Sequence, residues 1–522
     1  MRDFHLPGRS AVYATNGMCA TSHPLAAGIA IDTLKRGGNA VDAAIAGAIL
    51  LGVCEPQMTG LGGDMFALIA EGGEVSGLNA SGRAPAGLDA EALRAEGHDA
   101  VPPYSVHAVS VPGAVDGFCR LAEERGRLGL ADILGPVIPY FENGVPVAPR
   151  VADDWSKATH LSGDGRRHFL VDGQAPAAGT RFALPGQADV LRRIARNCRA
   201  GFYEGEVAED LVTSLRALGG THSQNDLDAQ SCEWVTPISG PYRGAELIEL
   251  PPNGSGATAL LMARMLERFD LSSLDPFGAE RAHLEAEAAK LAYDARNRFI
   301  ADPDHVTRLD HMLSEETAAR LADLIDPERA MPAPPPLAEA VHRDTIYITV
   351  VDRDGMMVSL IYSVFHSFGS GLASAKFGIG FQNRAAGFNL TPGHPNEAGG
   401  GKRPMHTIIP ALLHREGRIE MSFGVMGGAY QPNGHVRLIS NLLDHGLDLQ
   451  AAIDGPRCFG ALGPLDIENG YGAEVRAALE AKGHVLRQPE TAIGGAQAIR
   501  LTEDGVMIGA SDPRKDGCAL GY

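Results

Sequence analysis

The chain has 522 residues, a formal net charge of -19 and 44% hydrophobic residues. It is long enough for several globular domains, and its acidity excludes nucleic-acid binding through a basic face. The seven cysteines are scattered and never occur in C-x-x-C spacing, a pattern typical of a reducing compartment rather than of a disulfide framework or a zinc site.

The N-terminus and the apolar segments predict a cytoplasmic protein. Residues 1–8 contain no apolar stretch of the kind found in a secretory signal peptide. The longest apolar run, residues 43–53, is interrupted by small residues and is shorter than the roughly 18 residues that a membrane span needs. We therefore expect that run to form a buried helix, and we expect no membrane partner.

Helical periodicity begins near the N-terminus. Residues 24–36 have a helical pattern, with Ser22 as a candidate N-cap and Gly37 and Gly38 as the stop signal. Residues 40–53 are almost wholly apolar, which favours a helix in the core. Further helices are predicted at residues 187–197, 206–218, 258–269 and 280–299.

Strand character lies mainly in the C-terminal third of the chain. The patterns predict strands at residues 345–363, 407–413, 419–423 and 496–501. Helices and strands distributed in this way indicate an α/β protein.

Two glycine-rich segments do not match nucleotide-binding motifs. Residues 59–64 lack the third glycine of G-x-G-x-x-G, because position 65 is Met65, and they follow a predicted helix rather than a strand. Residues 253–256 lack the Lys-Ser/Thr pair of a phosphate-binding loop. Cys19 and His23 are close in sequence, but no second pair completes a zinc site. We therefore expect no cofactor and no metal.

The segment that starts at Thr345 predicts a β-hairpin. Residues 345–351 alternate apolar and more polar side chains, which is the period of a half-buried strand, and a second strand-like run follows at 356–363. A short loop with Gly355 in the left-handed position is a favoured hairpin connection. The resulting register places Thr345 opposite Ser363.

Two interpretations of Thr345 follow from the hairpin alone. In the first, the hairpin lies at the surface, and Thr345 and Ser363 are ordinary strand neighbours. In the second, the chain is cut before Thr345, and the freed α-amine of this residue activates its own hydroxyl. A single residue then supplies both the nucleophile and the base.

Motifs along nearly the full length favour the second interpretation. In chain order they are 17–26 (GMCATSHPLA), 34–44 (LKRGGNAVDAA), 55–56 (EP), 59–64 (TGLGGD), 110–114 (SVPGA), 251–256 (PPNGSG), 293–296 (YDAR), 302–304 (DPD), 350–352 (VVD), 368–371 (FGSG), 402–404 (KRP), 427–428 (GG) and 511–514 (SDPR). In this order and spacing, the chain resembles the gamma-glutamyltransferase family of N-terminal-nucleophile hydrolases.

The resemblance implies a four-layer αββα sandwich, the fold of N-terminal-nucleophile hydrolases, built jointly by two fragments of one precursor. It implies that Thr345 attacks the carbonyl of Asp344 and that this bond is cleaved. Cleavage leaves a large fragment, residues 1–344, and a small fragment, residues 345–522. The two fragments form a heterodimer, and a dimer of such heterodimers is a further option.

The resemblance also implies the catalytic residues. The α-amine of Thr345 acts as general base and its hydroxyl as nucleophile, giving an acyl-enzyme that water or an acceptor amine resolves. Ser363 matches the position that hydrogen-bonds the nucleophile. Gly427 and Gly428 match the glycine pair whose N–H groups form the oxyanion hole, where one donor is worth about 3 kcal/mol.

The substrate-binding positions depart from the family pattern. The arginine that holds a γ-glutamyl α-carboxylate is replaced by Ser81, and the nearest arginine is Arg83. The family's Asn, Gln and Asp contacts align with Phe365, Arg384 and Gly387. An acidic partner for an α-ammonium group is therefore missing, and a positive charge is added.

Two further substrate positions differ, because the family's paired serines after the Lys-Arg-Pro motif align with His406 and Thr407. Arg384 suits bidentate binding of a carboxylate, and Phe365 adds apolar bulk. Arg384 and Arg83 can instead pair with structural acids, and the sequence leaves that alternative open.

These features predict an amidohydrolase that cleaves a small amide whose acyl part is acidic but needs no α-amino group. Oxamate amidohydrolases and glutaryl-type acylases are the candidate relatives. The alternatives are a γ-glutamyl hydrolase or transferase, such as a glutathione hydrolase, and an unprocessed, non-catalytic member that only binds ligands.

Overall fold

Two seven-stranded sheets lie at the centre of the structure. The structure is a computed structural model, and it describes residue 5, residues 8–332 and residues 345–522. The strands are β1 (Val12–Ala14), β2 (Gly17–Thr21), β3 (Asp64–Glu71), β4 (Glu74–Ala80), β5 (Val145–Pro146), β6 (Arg181–Phe182), β7 (Glu233–Val235), β8 (Ile238–Tyr242), β9 (Ala245–Glu249), β10 (Ile346–Asp352), β11 (Met357–Ser363), β12 (Ala411–Arg415), β13 (Arg418–Met426), β14 (Cys458–Phe459), β15 (Leu465–Ile467), β16 (Leu486–Arg487), β17 (Gly495–Leu501), β18 (Met507–Ser511) and β19 (Cys518–Gly521).

Helices connect these strands and cover the sheets. They are α1 (Pro24–Lys35), α2 (Ala40–Cys54), α3 (Ala90–Ala95), α4 (Ala114–Arg125), α5 (Leu130–Leu134), α6 (Ile138–Asn143), α7 (Pro149–Ser156), α8 (Gly163–Phe169), α9 (Pro185–Asn197), α10 (Ala200–Tyr203), α11 (Gly205–Ala217), α12 (Gln224–Asp228), α13 (Gly256–Leu266), α14 (Ala279–Phe299), α15 (Leu309–Met312), α16 (Glu315–Ala322), α17 (Gln431–Leu443), α18 (Leu449–Asp454) and α19 (Ala473–Ala481). None of the helices within the described part of the chain is both long enough and apolar enough to span a membrane.

The two sheets combine strands from before and after position 344. Sheet 1 has the order β1-β18-β17-β13-β12-β9-β8, and sheet 2 has the order β19-β2-β10-β11-β3-β4-β7. Neighbouring strands in both sheets are antiparallel. Strand β10, which directly follows Thr345, lies between β2 and β11 in the middle of sheet 2.

Apolar clusters separate four layers. Outside sheet 2, Ile49 of α2 belongs to one cluster with Ile348 of β10. Outside sheet 1, Leu260 of α13 belongs to another cluster with Phe423 of β13. A third cluster, which includes Tyr347, fills the space between the sheets. The order helices, sheet 2, sheet 1, helices is a four-layer αββα sandwich, so the predicted fold class is confirmed.

The first two helices begin at capping side chains. Helix α2 is buried along its whole length, as predicted, and starts at a capping box in which Asn39 and Asp42 exchange side-chain and backbone hydrogen bonds over 3.0 Å. The predicted N-cap of α1 is wrong, because the helix begins one residue later than a Ser22 cap requires. His23 caps it instead, and the Ser22 hydroxyl donates to Glu55 over 2.5 Å.

Strand β10 is buried on both faces, so the prediction of a half-buried strand is wrong. On one face, Ile348 packs so closely against α2 that a Cβ on Gly47 would collide with it. On the other face, the hydroxyl of Thr349 donates to Ser422 of sheet 1 over 2.7 Å. The more polar residues therefore face a second sheet rather than water, a distinction that alternation alone does not make.

Strands also occur in the N-terminal third, where the sequence patterns indicated none. Strand β3 is buried at every position except its last. A strand covered on both faces reads as a continuous apolar run, which periodicity cannot tell from a buried helix. Among the C-terminal strands, the one predicted at residues 407–413 begins only at Ala411.

Candidate active site

The β10–β11 hairpin places Thr345 beside Ser363, as predicted. The register starts at Ile346 opposite Tyr362, so the preceding residue faces Ser363. Gly355 in the connecting loop has the predicted left-handed conformation, with a φ of 84°. The Thr345 hydroxyl donates to Ser363 Oγ over 3.4 Å, and the two residues are 1% and 0% exposed. The interpretation as a surface hairpin is therefore wrong.

Ser363 connects the hydroxyl of Thr345 to the rest of the site. The backbone N–H of Phe365 donates to Ser363 Oγ over 2.8 Å, and Nη2 of Arg384 donates to it over 3.4 Å. These contacts hold the serine oxygen at a fixed point beside Thr345. Asp344, the residue expected before the cleaved bond, lies outside the described residues.

Arg384 is buried among the positions that the sequence predicts for substrate binding. It begins a short 3-10 turn, Arg384–Gly387, and it is 0% exposed. Its Nη1 donates to the hydroxyl of Thr407 over 3.1 Å, and its guanidinium lies 4.1 Å from the ring centroid of Phe365. Stacking on an aromatic face orients a guanidinium while leaving its edge for planar acceptors such as carboxylates.

Phe365 carries backbone strain at this point. Its φ is 82°, a conformation that bulky residues adopt rarely and at a cost of about 1–3 kcal/mol. The hydrogen bond from its N–H to Ser363 and the contact of its ring with Arg384 hold it there. Strain of this kind is concentrated at functional sites.

Position 387 is closed to side chains. A Cβ placed on Gly387 would lie 2.7 Å from the carbonyl oxygen of Met405. The carbonyl of Gly387 accepts a hydrogen bond from Asn396 over 2.7 Å, which fixes this turn. The carboxylate that the family pattern has at this position is therefore absent, and the surrounding backbone leaves no room for one.

His406 is a buried, neutral neighbour of Arg384. Burial is the main cause that lowers the pKa of His406 to about 3, and the charge of Arg384 lowers it further, whereas Asp64 raises it. Its Nε2 donates to Asp64 Oδ2 over 3.2 Å, and both side chains are 0% exposed. His406 thus faces Asp64 and packs edge-on against Phe66.

The glycine-rich segment 59–64 explains how Asp64 reaches this place. Asp64 pairs with Ser363 across β3 and β11, and a Cβ on Gly63 would lie 2.5 Å from the carbonyl oxygen of Ser363. Asp64 Oδ1 also accepts from the amide of Gln382 over 2.8 Å. The segment therefore brings two backbones close together.

Gly427 and Gly428 follow β13 and precede α17. Their φ values are 128° and 54°, and a Cβ on Gly427 would lie 2.9 Å from the Cα of Gly494. Across the two sheets, Thr349 contacts Ser422, and Tyr347 lies against Gly424.

Thr345 lies two residues before Tyr347, and Met426, the last residue of β13, lies two residues after Gly424. Thr345 is therefore level with the end of β13. The glycine pair comes next in the chain and leads into the N-terminus of α17, where backbone N–H groups and the helix dipole favour negative charge.

Arg83 makes the structural pairing that the sequence left open. Its guanidinium forms ion pairs with Asp302 and Glu233, each at 3.3 Å, and donates to the carbonyl of Gly401 over 3.1 Å. Arg384, by contrast, contacts Ser363, Thr407 and the Phe365 ring. Arg384 therefore contacts the hairpin, whereas Arg83 pairs with residues outside it.

Asn383 was missed as a neighbour of this site, and the buried carboxyl of Glu55 was missed as a group with a shifted pKa. The amide of Asn383 accepts from the N–H of His366 over 3.1 Å and donates to the carbonyl of Pro103 over 2.9 Å. Glu55 is buried, which raises its pKa to about 7, whereas the charge of Lys515 and the hydrogen bond from Ser22 lower it. The Glu-Pro motif was the only sequence signal for Glu55, and Asn383 had none.

One side-chain group in the described part of the chain has the composition of a metal site. His283, Glu287 and His484 offer ligand atoms that lie within 4.8 Å of one another. The two imidazoles are already hydrogen-bonded over 2.8 Å, and Lys290 donates to Glu287 over 2.6 Å. These hydrogen bonds and the neighbouring ammonium account for the group, and we assign it no role in the reaction.

Comparison with known proteins places the whole chain in one group of relatives. The family model described as gamma-glutamyltranspeptidase matches residues 26–522. The glutathione hydrolase-like YwrD proenzyme of Bacillus subtilis is 34% identical over 524 residues, which cover 98% of this chain and 99% of that protein. The oxamate amidohydrolase proenzyme of Klebsiella pneumoniae is 34% identical over 532 residues, with the same coverage.

A solved structure has the same fold over its full length. Cephalosporin acylase from Bacillus halodurans superposes with a TM-score of 0.93 and 38% sequence identity, covering 100% of this chain and 99% of that one. The names of these relatives refer to different compounds: glutathione, oxamate and cephalosporin. The similarity is therefore specific for the family and does not select a substrate.

Proposed function

Because the chain belongs to the gamma-glutamyltranspeptidase family, we propose that it cuts itself at the Asp344–Thr345 bond and then hydrolyses a small amide with an acidic acyl group. The chain is a hydrolase of this family, and the names of its curated relatives describe them as proenzymes, which supports processing over the non-catalytic alternative. The observation that carries the proposal is the Thr345 hydroxyl 3.4 Å from Ser363 Oγ, with Arg384 bonded to the same oxygen.

Self-processing uses the hydroxyl of Thr345 in the precursor. Oγ1 attacks the carbonyl carbon of Asp344, the C–N bond breaks, and the amine takes a proton, which leaves an ester between the two residues. Water then hydrolyses the ester. The products are a large fragment, 1–344, with a new carboxylate and a small fragment, 345–522, with a free α-amine on Thr345. The fragments stay together as a heterodimer.

Turnover repeats this chemistry on a substrate amide. The α-amine of Thr345 accepts the proton of its own hydroxyl, and Oγ1 attacks the amide carbonyl. Ser363 Oγ positions the hydroxyl, and the N–H groups of Gly427 and Gly428 stabilise the oxyanion. The amine leaves with a proton, and water, activated by the α-amine, then releases the acid from the acyl-enzyme.

The residues around Arg384 favour a substrate whose acyl group carries a carboxylate. Arg384 offers a guanidinium beside Ser363 and Thr407, within reach of an acyl chain bound to Thr345. Phe365 supplies the apolar wall under it. His406 supports this arrangement through its contact with Asp64. The ion pairs of Arg83 favour a structural role for that residue.

The second candidate is γ-glutamyl hydrolysis, which the 34% identity to a glutathione hydrolase-like proenzyme favours. The oxamate amidohydrolase relative supports the first candidate equally well by identity. Position 387 decides our preference, because the closed turn at Gly387 offers no carboxylate for an α-ammonium group. An unpaired charge in a buried site is costly.

Denaturing electrophoresis with mass spectrometry tests the processing step. We expect wild-type protein to yield two fragments and a new N-terminus at Thr345. Thr345→Ala should remain one chain and hydrolyse no amide, whereas the matched control Thr345→Ser keeps a hydroxyl and should still be cut. Wild-type protein that stays intact after long incubation would contradict the mechanism.

A further inference from the structure

We propose that Tyr293 is a positioning residue for the reaction, because its hydroxyl orients and polarises the backbone N–H of Gly428. This inference rests on the proposed oxyanion role of the glycine pair and adds the side chain that holds one of its two donors. Tyr293 lies on α14, far in the chain from the glycine pair, and it is 1% exposed. It opens the motif at residues 293–296, to which the proposed mechanism gives no role.

The hydroxyl of Tyr293 reaches the turn that follows β13. It donates to the carbonyl oxygen of Ala429, which lies in the middle of the short 3-10 turn Gly428–Tyr430. Within the same turn, the N–H of Tyr430 donates to the carbonyl oxygen of Gly427 over 3.1 Å. The side chain of α14 therefore contacts the backbone one residue after the glycine pair.

These two hydrogen bonds form a chain that ends at the N–H of Gly428. The carbonyl of Ala429 and the N–H of Tyr430 belong to one peptide group, and the carbonyl of Gly427 and the N–H of Gly428 belong to another. A peptide group whose carbonyl accepts a hydrogen bond is a stronger N–H donor, so successive bonds polarise one another. The Tyr293 hydroxyl thus strengthens the bond inside the turn, and that bond orients and strengthens the donor of Gly428.

Ring packing fixes Tyr293 in the position from which its hydroxyl acts. The centroid of its ring lies 5.5 Å from that of Phe459, and the ring of Tyr430 lies 5.6 Å from the same phenylalanine. The guanidinium of Arg296, about one turn later in α14, lies 4.7 Å from the centroid of the Tyr293 ring. Edge-on aromatic pairs and a cation over a ring face both stabilise one orientation of the ring. The hydroxyl is therefore held towards the turn.

Helix α14 also fixes the position of α17 along its axis. Side chains of the two helices form hydrogen bonds of 2.5–2.7 Å at three points, which are Arg281–Asn441, Glu285–Arg437 and Glu285–Asn433. Residue numbers rise along α14 as those of the partners on α17 fall, so the two helices run antiparallel. The bond from Tyr293 to Ala429 continues this series past the N-terminus of α17. Among these contacts, it is the one next to the glycine pair.

Tyr293→Phe tests the inference, because it removes the hydroxyl and keeps the ring. It should lower kcat for the monoamide of glutaric acid on the order of tenfold, since a weaker Gly428 donor acts on the charge that develops in the transition state. KM should stay unchanged, because the residues around Arg384 keep their contacts. Steady-state kinetics measures both constants, and thermal unfolding shows whether the variant is folded.

Tyr242→Phe is the matched control, because it removes an equally buried hydroxyl at the opposite end of α17. Tyr242 is 0% exposed and donates to Asp444, the C-cap of that helix, over 2.5 Å. This variant should keep the kcat of the wild type. Equal losses of kcat in the two variants would indicate general support of the helix and would overturn the inference. An unchanged kcat in Tyr293→Phe, or an effect on KM alone, would overturn it as well.

A reagent that carries no acyl group separates this inference from the proposed function. Phenylmethanesulfonyl fluoride transfers its sulfonyl group to an activated hydroxyl with loss of fluoride, and mass spectrometry of the small fragment measures the rate at Thr345. If processed wild type is labelled but hydrolyses no amide, the substrate proposal fails and labelling decides the inference. Labelling on the order of tenfold slower in Tyr293→Phe supports it, and equal labelling overturns it. Wild type that is neither labelled nor active overturns both.

A second variant is needed if Tyr293→Phe does not fold. Replacement of Tyr293 by a ring-fluorinated tyrosine keeps the shape of the side chain and its hydroxyl. Fluorine makes the hydroxyl more acidic and therefore a stronger hydrogen-bond donor, so the chain to Gly428 should be more polarised. A kcat above that of the wild type would support the inference, and an unchanged or lower kcat would overturn it.

Discussion

The proposed nucleophile half and the proposed substrate half of the site are built in different ways. Thr345 and Ser363 are held by the register of one hairpin, and Gly427 by the turn that follows one strand. Arg384 is held by side-chain contacts with Thr407 and with the ring of Phe365, which belong to other segments of the chain. In the proposed site, backbone geometry therefore positions the nucleophile, whereas a few side-chain contacts position the group that would bind the substrate.

The two halves meet at Ser363 Oγ, which contacts both Thr345 and Arg384. If the halves are separable, a change on one side should alter substrate choice and leave self-cleavage intact. If they are coupled through this oxygen, the same change should slow both. The variants below distinguish these outcomes.

Arg384→Ala should have the largest effect on substrate choice. Loss of a buried charge partner should lower kcat/KM for the monoamide of a dicarboxylic acid. The decrease corresponds to about 2–5 kcal/mol of lost transition-state stabilisation. Processing, measured by electrophoresis, should continue if the halves are separable. Arg83→Ala is the matched control, because Arg83 pairs with Asp302 instead, and it should have little effect. Efficient glutathione hydrolysis that survives Arg384→Ala would restore the γ-glutamyl candidate.

Gly427→Ala should damage the nucleophile half for every substrate alike. A Cβ there meets Gly494, so the turn must shift, and loss of one oxyanion donor costs about 3 kcal/mol in kcat. Steady-state kinetics with two amides measures this loss. The control is Gly463→Ala, because Gly463 has a φ of 136° and open space around its Cα. Similar kinetic losses in both variants would argue for general backbone strain and against an oxyanion hole.

Gly387→Asp restores the family's acidic residue in a place without room for it. Because a Cβ would press on Met405, we expect a loss of about 1–3 kcal/mol in the free energy of unfolding and no gain of γ-glutamyl activity. Denaturant unfolding and a glutathione assay measure the two quantities. Ala386→Asp adds the same charge one residue earlier and is the control. A gain in glutathione hydrolysis specific to Gly387→Asp would show that the pocket adapts.

Glu55 gives the smallest expected effect, a dependence of stability on pH. Its folded pKa of about 7 is above its ordinary value, so its contribution to stability is complete at acidic pH and is lost as pH rises towards neutrality. Glu55→Gln stays neutral and should remove this decline, which corresponds to a few degrees of Tm at most. Thermal scans across that pH range measure it, with Glu74→Gln as an exposed control. Parallel curves for wild type and Glu55→Gln would contradict the assignment.

Local patterns predicted the parts that local geometry determines. The loop at Gly355 fixed the hairpin register, and with it the meeting of Thr345 and Ser363. The Ser22 cap failed because a helix can begin one residue later when the next side chain also accepts a hydrogen bond. The contact of Asn383 could not be predicted from the sequence, because its partner Pro103 is far away in the chain and only the folded state brings the two residues together.

The burial of β10 on both faces was beyond prediction for a related reason. Alternation reports that a strand has two kinds of face, but the second sheet is assembled from segments throughout the chain. The same argument applies to the two arginines. Nothing near Arg83 in the sequence distinguishes it from Arg384, and only the position of Asp302 does.

If the chain is cut before Thr345 as proposed, the position of β10 between β2 and β11 has a kinetic consequence for the two fragments. In sheet 2, β10 is bonded on one side to a strand of the large fragment, and β11 is bonded to another, β3. Sheet 1 is shared in the same way between β12 and β9. Separating the fragments would require breaking hydrogen-bonded strand pairs in both sheets, which is equivalent to global unfolding. Differently labelled heterodimers mixed in solution should therefore exchange fragments no faster than they unfold.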